Sequence, residues 1–184
     1  MKKEIIEWIK SIGIALLLGF VISSFVKGTK VYGTSMNPTL VQDDFLIAFN
    51  DKNVNHGDII IAKTRLEVTS RDLEGLNPIN RWQIGKTKKV IKRVIATEGD
   101  SLIIKDGKVI LNGKELKEDY IKGDETFGDM VIEKIPKGKI FVMGDNRGNS
   151  LDSRDGRIGL IDEKDVMGKA ILRIYPFSKF GVLK

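Results

Sequence analysis

KVIKRVIATEGDSLIIKDGKVILNG, residues 89–113, decides the fold class. From Lys89 to Thr97 the side chains alternate. Val90, Lys92, Val94 and Ala96 fall on one face, and Ile91, Arg93, Ile95 and Thr97 on the other, which is the period of a strand. Two Asx-Gly pairs follow, Asp106-Gly107 and Asn112-Gly113, each closing a short apolar run (101–105 and 108–111), the pattern of successive hairpins. Working outward, Asp44–Phe49 and Asp58–Ala62 are apolar runs bounded by Asp, Asn and Gly and read as strands. Val31-Tyr32 begins a short extended piece, and Gly138–Met143 and Lys169–Tyr175 supply later strands. No helical periodicity of comparable length follows the first 27 residues. The expectation is a mainly β protein of one sizeable domain, in which 101–139, rich in Gly and Lys, forms a small β insertion. Thr64–Lys88, with Pro78 and Trp82, is long for a structureless loop and reads as a hairpin of its own, a mobile excursion or a membrane-facing element.

The N-terminal 27 residues differ in kind. Ser11–Val26 carries no charge and is mostly Ile, Leu, Val, Phe and Gly, and Ile5, Trp8 and Ile9 extend its apolar face backward. Crossing the hydrocarbon core takes about 20 residues. Ile5–Val26 suffices, with Lys10 reaching toward the headgroups and Trp8 at interfacial depth. A cleaved signal peptide would end in an Ala-x-Ala-like site, but the single alanine, Ala15, is mid-span. An uncleaved anchor is therefore preferred over a cleaved signal or a buried soluble helix. Lys2, Lys3 and Lys10 lean the N-terminus toward the cytoplasm, although Lys27 and Lys30 follow the span.

Composition narrows the chemistry. The net charge of +6 is spread among many carboxylates, so no clustered nucleic-acid footprint is present, and a basic surface beside anionic lipid or plain solubility accounts for it. The absence of cysteine excludes disulfides, thiol catalysis and thiolate metal sites. With His56 the one histidine, a multi-histidine metal site is excluded, and a Ser-His-Asp triad would have to use that residue, which lies in a turn-like Asn-Val-Asn-His-Gly run.

Ser35 lies in Gly33-Thr34-Ser35-Met36-Asn37-Pro38-Thr39-Leu40. A serine hydroxyl needs an adjacent base. Lys92 can serve if burial among Val90, Ile91, Val94 and Ile95 lowers its pKa by about 3 units, roughly 4 kcal/mol of disfavoured charge. Arg93 points to the opposite strand face and offers a partner for Asp145 or Asp152. Gly144-Asp145-Asn146-Arg147, followed by Ser150-Leu151-Asp152-Ser153-Arg154, gathers polar residues directly after an apolar strand, where sites are commonly assembled. A calcium loop is disfavoured by Arg147, Arg154 and Arg157. Ser24-Phe25-Val26-Lys27 matches Ser-x-x-Lys, but it sits at the membrane end of the anchor and lacks that pattern's other motifs.

Taken in order, the anchor, Ser35-Met36-x-Pro38-Thr39-Leu40, Gly57-Asp58-Ile59-Ile60, Lys92-Arg93 with Gly99-Asp100, and Gly144–Arg154 resemble bacterial type I signal peptidases, in the single-span form common in Gram-positive bacteria. The resemblance implies a signal-peptidase/repressor-protease-like antiparallel β catalytic domain with a small inserted β domain. Residues 1–27 would be tip and anchor, 28–100 and 140–184 the core, and 101–139 the insertion. It implies Ser35 as nucleophile, Lys92 as general base and Ser150 as the serine orienting the lysine. Asp145, Asp152 and Arg154 would be structural ion-pair residues, with Arg93 the partner of Asp145. The Ser35 N–H would serve the oxyanion hole; Gly33 stands where some members have a hydroxyl donor, leaving the second donor to a backbone amide or water. Val31, Met36, Leu40, Val90 and Ile91 would line shallow pockets giving an Ala-x-Ala preference. The implied partners are signal peptides of secreted preproteins and the lipid bilayer, with no nucleic acid, metal or other cofactor required. Tyr175, Phe177 and Phe180 would either dip into lipid or fill a core. A self-cleaving repressor-type Ser/Lys protease would need a helical DNA-binding region and an internal Ala-Gly site, neither seen. A non-catalytic membrane-tethered β module is the alternative from another class.

Overall fold

The computed structural model describes residues 2–51, 53–70, 74, 85–121 and 126–183. Its helix α1 (Lys2–Phe25) has exposed side chains on every described face, Leu16, Leu17 and Phe20 among them. A helix apolar all round needs apolar surroundings. At about 1.5 Å per residue its length matches a hydrocarbon core of about 30 Å, and Lys3–Phe25 is long and apolar enough to cross a membrane.

The helix passes directly into β1 (Val26–Lys30), which pairs antiparallel with β2 (Phe45–Phe49). The strand expected at Val31-Tyr32 thus begins and ends earlier, because the ladder to β2 starts at Val26 against Phe49; Val31 adds two bonds, its N–H donating to the Asp44 carbonyl at 2.8 Å and its carbonyl accepting the Asp43 N–H at 3.0 Å. Next come β3 (Ile59–Glu67) and β4 (Thr87–Ala96), paired antiparallel with Glu67 opposite Thr87. The two ends of the 64–88 stretch therefore form a hairpin; its Pro78 and Trp82 lie outside the described residues.

Strands β5 (Leu102–Lys105), β6 (Lys108–Leu111), β7 (Lys114–Glu115) and β8 (Met130–Ile132) form a separate sheet in the order β7-β6-β5-β8. Its tight turns use positive φ at Asp106 and Gly107 and at Asn112 and Gly113, which is why Asx-Gly stands at both. The chain then returns through β9 (Lys139–Met143), β10 (Ile161–Asp162), β11 (Val166–Tyr175) and β12 (Gly181–Val182), giving a larger sheet ordered β1-β2-β11-β3-β4-β9-β10 with β12 on β11.

Strand β4 is buried on both faces in its C-terminal half. Val90 and Val94 pack with Ile60, Ala62, Ile140 and Val142. Ile95 joins Leu102, Ile104, Phe141 and Met143, the cluster that seats the second sheet on the first. Ile91 meets Val31, Met36, Leu40 and Leu46. Each fully buried Ile or Leu stabilises by about 1.5–3 kcal/mol, and those faces draw Lys92 and Arg93, 4% and 2% exposed, in with them. The core alternative for the C-terminal aromatics is overturned. Phe177 is 82% exposed and Phe180 and Tyr175 are also exposed, since β11 and β12 turn that end outward.

Candidate active site

The Ser35 segment is a turn held from below. The Asn37 N–H donates to the Thr34 carbonyl at 3.0 Å and the Leu40 N–H to the Met36 carbonyl at 2.8 Å, while Met36 and Leu40 are buried. This leaves Ser35 at the surface of its own core, half-buried. Lys92 reaches it from β4. Its Nζ donates to Ser35 Oγ at 2.7 Å and to the Ile91 carbonyl at 3.0 Å. Burial pushes the Lys92 amine down to about 8, against the opposing pull of the Asp152 and Asp145 carboxylates. Both of those carboxylates are already paired.

Arg93 grips Asp145 with two bonds, 2.9 and 2.7 Å, and donates to the Gly57 carbonyl at 2.8 Å. Arg154 grips Asp152 likewise, at 2.9 Å from each nitrogen. Burial drives the Asp152 carboxyl up, but the Arg154 hydrogen bonds and charge and the Gly144 N–H outweigh it and hold the group below the usual carboxylate range. Arg147 turns away from both aspartates. It pairs with Glu118, donates to Thr126 Oγ1 at 2.6 Å and to the Gly144 carbonyl at 3.1 Å. Tyr120, beside Glu118, lays its ring 4.0 Å from the Arg93 guanidinium.

The Ser150 hydroxyl does not bond Lys92. It lies close enough to Asp152 to help lower that carboxyl, yet among the described residues its buried Oγ has no hydrogen-bond partner. Its position is set by Gly144, where a Cβ would overlap both the Ser150 side chain and the Ser35 carbonyl oxygen. Gly144→Ala therefore wedges the Ser150 loop away from Ser35. The expected result is a stability loss of about 1–3 kcal/mol and, for a displacement near 1 Å, a kcat about 100-fold lower, read from urea unfolding and cleavage kinetics.

Residues 5–175 match the sequence model of a family described as "Signal peptidase, peptidase S26". The chain belongs to that family. This signal peptidase-family chain is 36% identical over 196 residues to "Signal peptidase I P" of Bacillus subtilis subsp. natto, spanning 97% of this chain and 93% of that protein. It is 31% identical over 202 residues to "Signal peptidase IB" of Staphylococcus aureus strain COL, spanning 98% and 94%. Among solved structures, a signal peptidase I from Enterococcus faecalis V583 aligns at 26% identity with a TM-score of 0.45, covering 64% of this chain and 96% of that one.

Within this family member, Ser35 meets Lys92, Arg93 meets Asp145 and Arg154 meets Asp152. Gly33 takes φ +79, a region glycine enters without strain, and brings no hydroxyl. The five residues expected to line substrate pockets divide. Val31, Met36 and Leu40 are 2% exposed or less and pack with Ile91, whereas Val90 lies on the other face of β4 in a different cluster. Strand alternation forces that split, so Val90 and Ile91 fall on opposite faces of β4. His56 belongs to a separate polar cluster, with Nε2 2.6 Å from Asp100 and 3.3 Å from Thr97 Oγ1. Sequence reasoning assigned no role to Glu118, Tyr120, Thr126, Asn146 or Asn149. Asn146 stood inside the Gly-Asp-Asn-Arg motif and was findable; the first three lie in a segment with no motif or period.

Proposed function

We propose that this chain is a membrane-anchored serine endopeptidase that removes N-terminal signal peptides from exported preproteins, cutting after small residues in Ala-x-Ala sequences. The 2.7 Å contact between Ser35 Oγ and the buried Lys92 amine carries the reading. Neutral Lys92 takes the Ser35 proton as Oγ attacks the scissile carbonyl. The electron pair of the carbonyl moves to its oxygen, facing the Ser35 N–H. Lys92 returns the proton to the departing amine, then takes one from water to release the acyl group from Ser35. Asp145 and Asp152, each neutralised by an arginine, frame the site without becoming proton carriers.

The substrate adds as a strand alongside β4. Support comes from the ladder to β9, which covers only Arg93–Ala96 and leaves Val90–Lys92 without a strand on that side among the described residues. With Val31, Met36 and Leu40 already packed, shallow recesses favour small side chains. Residues 1–27 form a cytoplasmic tip and single span, 28–100 with 140–184 the extracytoplasmic catalytic core, and 101–139 its insertion; exposed Phe177 and Phe180 seat that core against lipid.

Detergent-solubilised protein incubated with a preprotein, followed by N-terminal sequencing, tests this. The mature N-terminus after a small residue is expected, and Ser35→Ala removes it. Because the base form is the deprotonated amine, kcat/KM rises with pH through about 8, the Lys92 midpoint. A rate flat from pH 6.5 to 9.5 contradicts the lysine assignment.

A further inference from the structure

Contacts from the Gly144–Arg154 segment onto the nucleophile come from two asparagines. The Asn146 backbone N–H donates to the Ser35 carbonyl at 3.1 Å, and its side-chain Nδ2 donates to the Thr34 carbonyl at 3.1 Å. Asn149 Nδ2 donates to Thr34 Oγ1 at 3.0 Å. The Thr34 carbonyl and the Ser35 N–H belong to one peptide unit. That unit is planar and trans, so fixing the direction of its carbonyl fixes its N–H to the opposite side. The Thr34 carbonyl accepts two bonds, from the Asn37 N–H within its own turn at 3.0 Å and from Asn146 across the site, and each bond polarises the unit and strengthens its N–H as a donor. Among the described residues nothing accepts from the Ser35 N–H, which is therefore available to an incoming group. Gly33, just before this unit, has φ +79 and no side chain to brace it.

We propose that Asn146 is a positioning residue for the oxyanion hole: its side-chain amide holds and polarises the Thr34–Ser35 peptide, aiming the Ser35 N–H at the developing oxyanion in a chain whose Gly33 supplies no hydroxyl. This rests on the Ser/Lys reading above. The bond to the oxyanion strengthens only as negative charge builds on the carbonyl oxygen, so its loss falls on kcat rather than on substrate binding.

Asn146→Ala is expected to lower kcat by about 10–100-fold, less than the roughly 10²–10³-fold cost of removing an oxyanion-hole donor outright. KM stays near its original value, and the alkaline rise near pH 8 stays in place, because Asn146 carries no charge and makes no bond to Lys92. Asn146→Ser, whose donor is too short to reach Thr34, gives the same loss, and thermal melts establish that both variants are folded. A second readout uses a signal-sequence peptide ending in an aldehyde. As it adds to Ser35, the Oγ–C bond forms, the carbonyl pair moves to oxygen and the hydroxyl proton passes to Lys92. Its affinity should fall by the same factor as kcat/KM, while an uncleavable amide peptide binds Asn146→Ala as before. Equal losses for aldehyde and amide, a raised KM with unchanged kcat, or a displaced pH midpoint would overturn the positioning role and leave the dyad standing. Failure of the unsubstituted protein to cleave or to bind the aldehyde sinks the Ser/Lys reading itself.

Discussion

Lys92→Met removes preprotein cleavage and, near neutral pH, makes the fold more stable. The loss of rate should be on the order of 10⁴-fold or more, as when a catalytic base is deleted from a nucleophile–base pair that acts as a unit. The gain in stability follows from the depressed pKa. In the folded chain Lys92 titrates near 8, against 10.5 for an ordinary lysine. Below pH 8 the amine is charged in both states and the folded protein bears the full cost of burying it. Between 8 and 10.5 the folded state has released the proton that the unfolded state still binds, so stability rises with pH by about 3 kcal/mol across that window. Methionine, similar in length and uncharged, shows no such rise. Urea unfolding of both proteins from pH 7 to 10 should give a gap that is largest at pH 7 and narrows steadily. Parallel curves would mean that Lys92 is not held in a desolvated site.

The second large effect is structural. Arg93→Met leaves the Asp145 carboxylate, whose side chain has 0% exposure, without its ion-pair partner. Breaking a buried pair from one side costs about 3–5 kcal/mol, because the remaining charge stays desolvated. The substitution also removes the bond to the Gly57 carbonyl and the cation over Tyr120. Asp145 lies in the loop after β9 and Arg93 beside Lys92 on β4, so the same change loosens the two pieces of chain that form the site, and activity falls with stability. Replacing both residues together, Arg93→Met with Asp145→Leu, should cost less than either single change, since no lone charge is left behind. Denaturant midpoints of the three variants check this; single changes each costing under about 1 kcal/mol would contradict a buried, desolvated pair.

Much of the fold was legible because its signals are local. Alternation from Lys89 to Thr97 placed Lys92 and Arg93 on opposite faces, and the structure sends one to Ser35 and the other to Asp145. The Asx-Gly pairs at 106–107 and 112–113 marked hairpin turns that the backbone makes with positive φ. Where strand pairing is long-range, the reading lost ground. Nothing in Val31-Tyr32 announced that the ladder starts at Val26, which depends on β2 lying alongside. Val90 and Ile91 were both expected to line shallow substrate pockets, although adjacent residues on a strand face opposite ways. The partners Glu118 and Tyr120 lie 29 and 27 residues before Arg147, in a stretch without periodicity, and only folding brings them under the two arginines. The pairing of Ser35 with Lys92, separated by 57 residues, came from a family resemblance and not from any local pattern.

The proposed catalysis needs an amine that sheds its proton within reach of a serine hydroxyl. Titration of the Lys92 side chain by NMR, with selectively labelled lysine and Lys92→Met to assign the signal, measures this directly. A midpoint near pH 8 is predicted. A midpoint at the ordinary lysine value near 10.5 would contradict it, since the amine would then be charged at every pH where the enzyme is proposed to act.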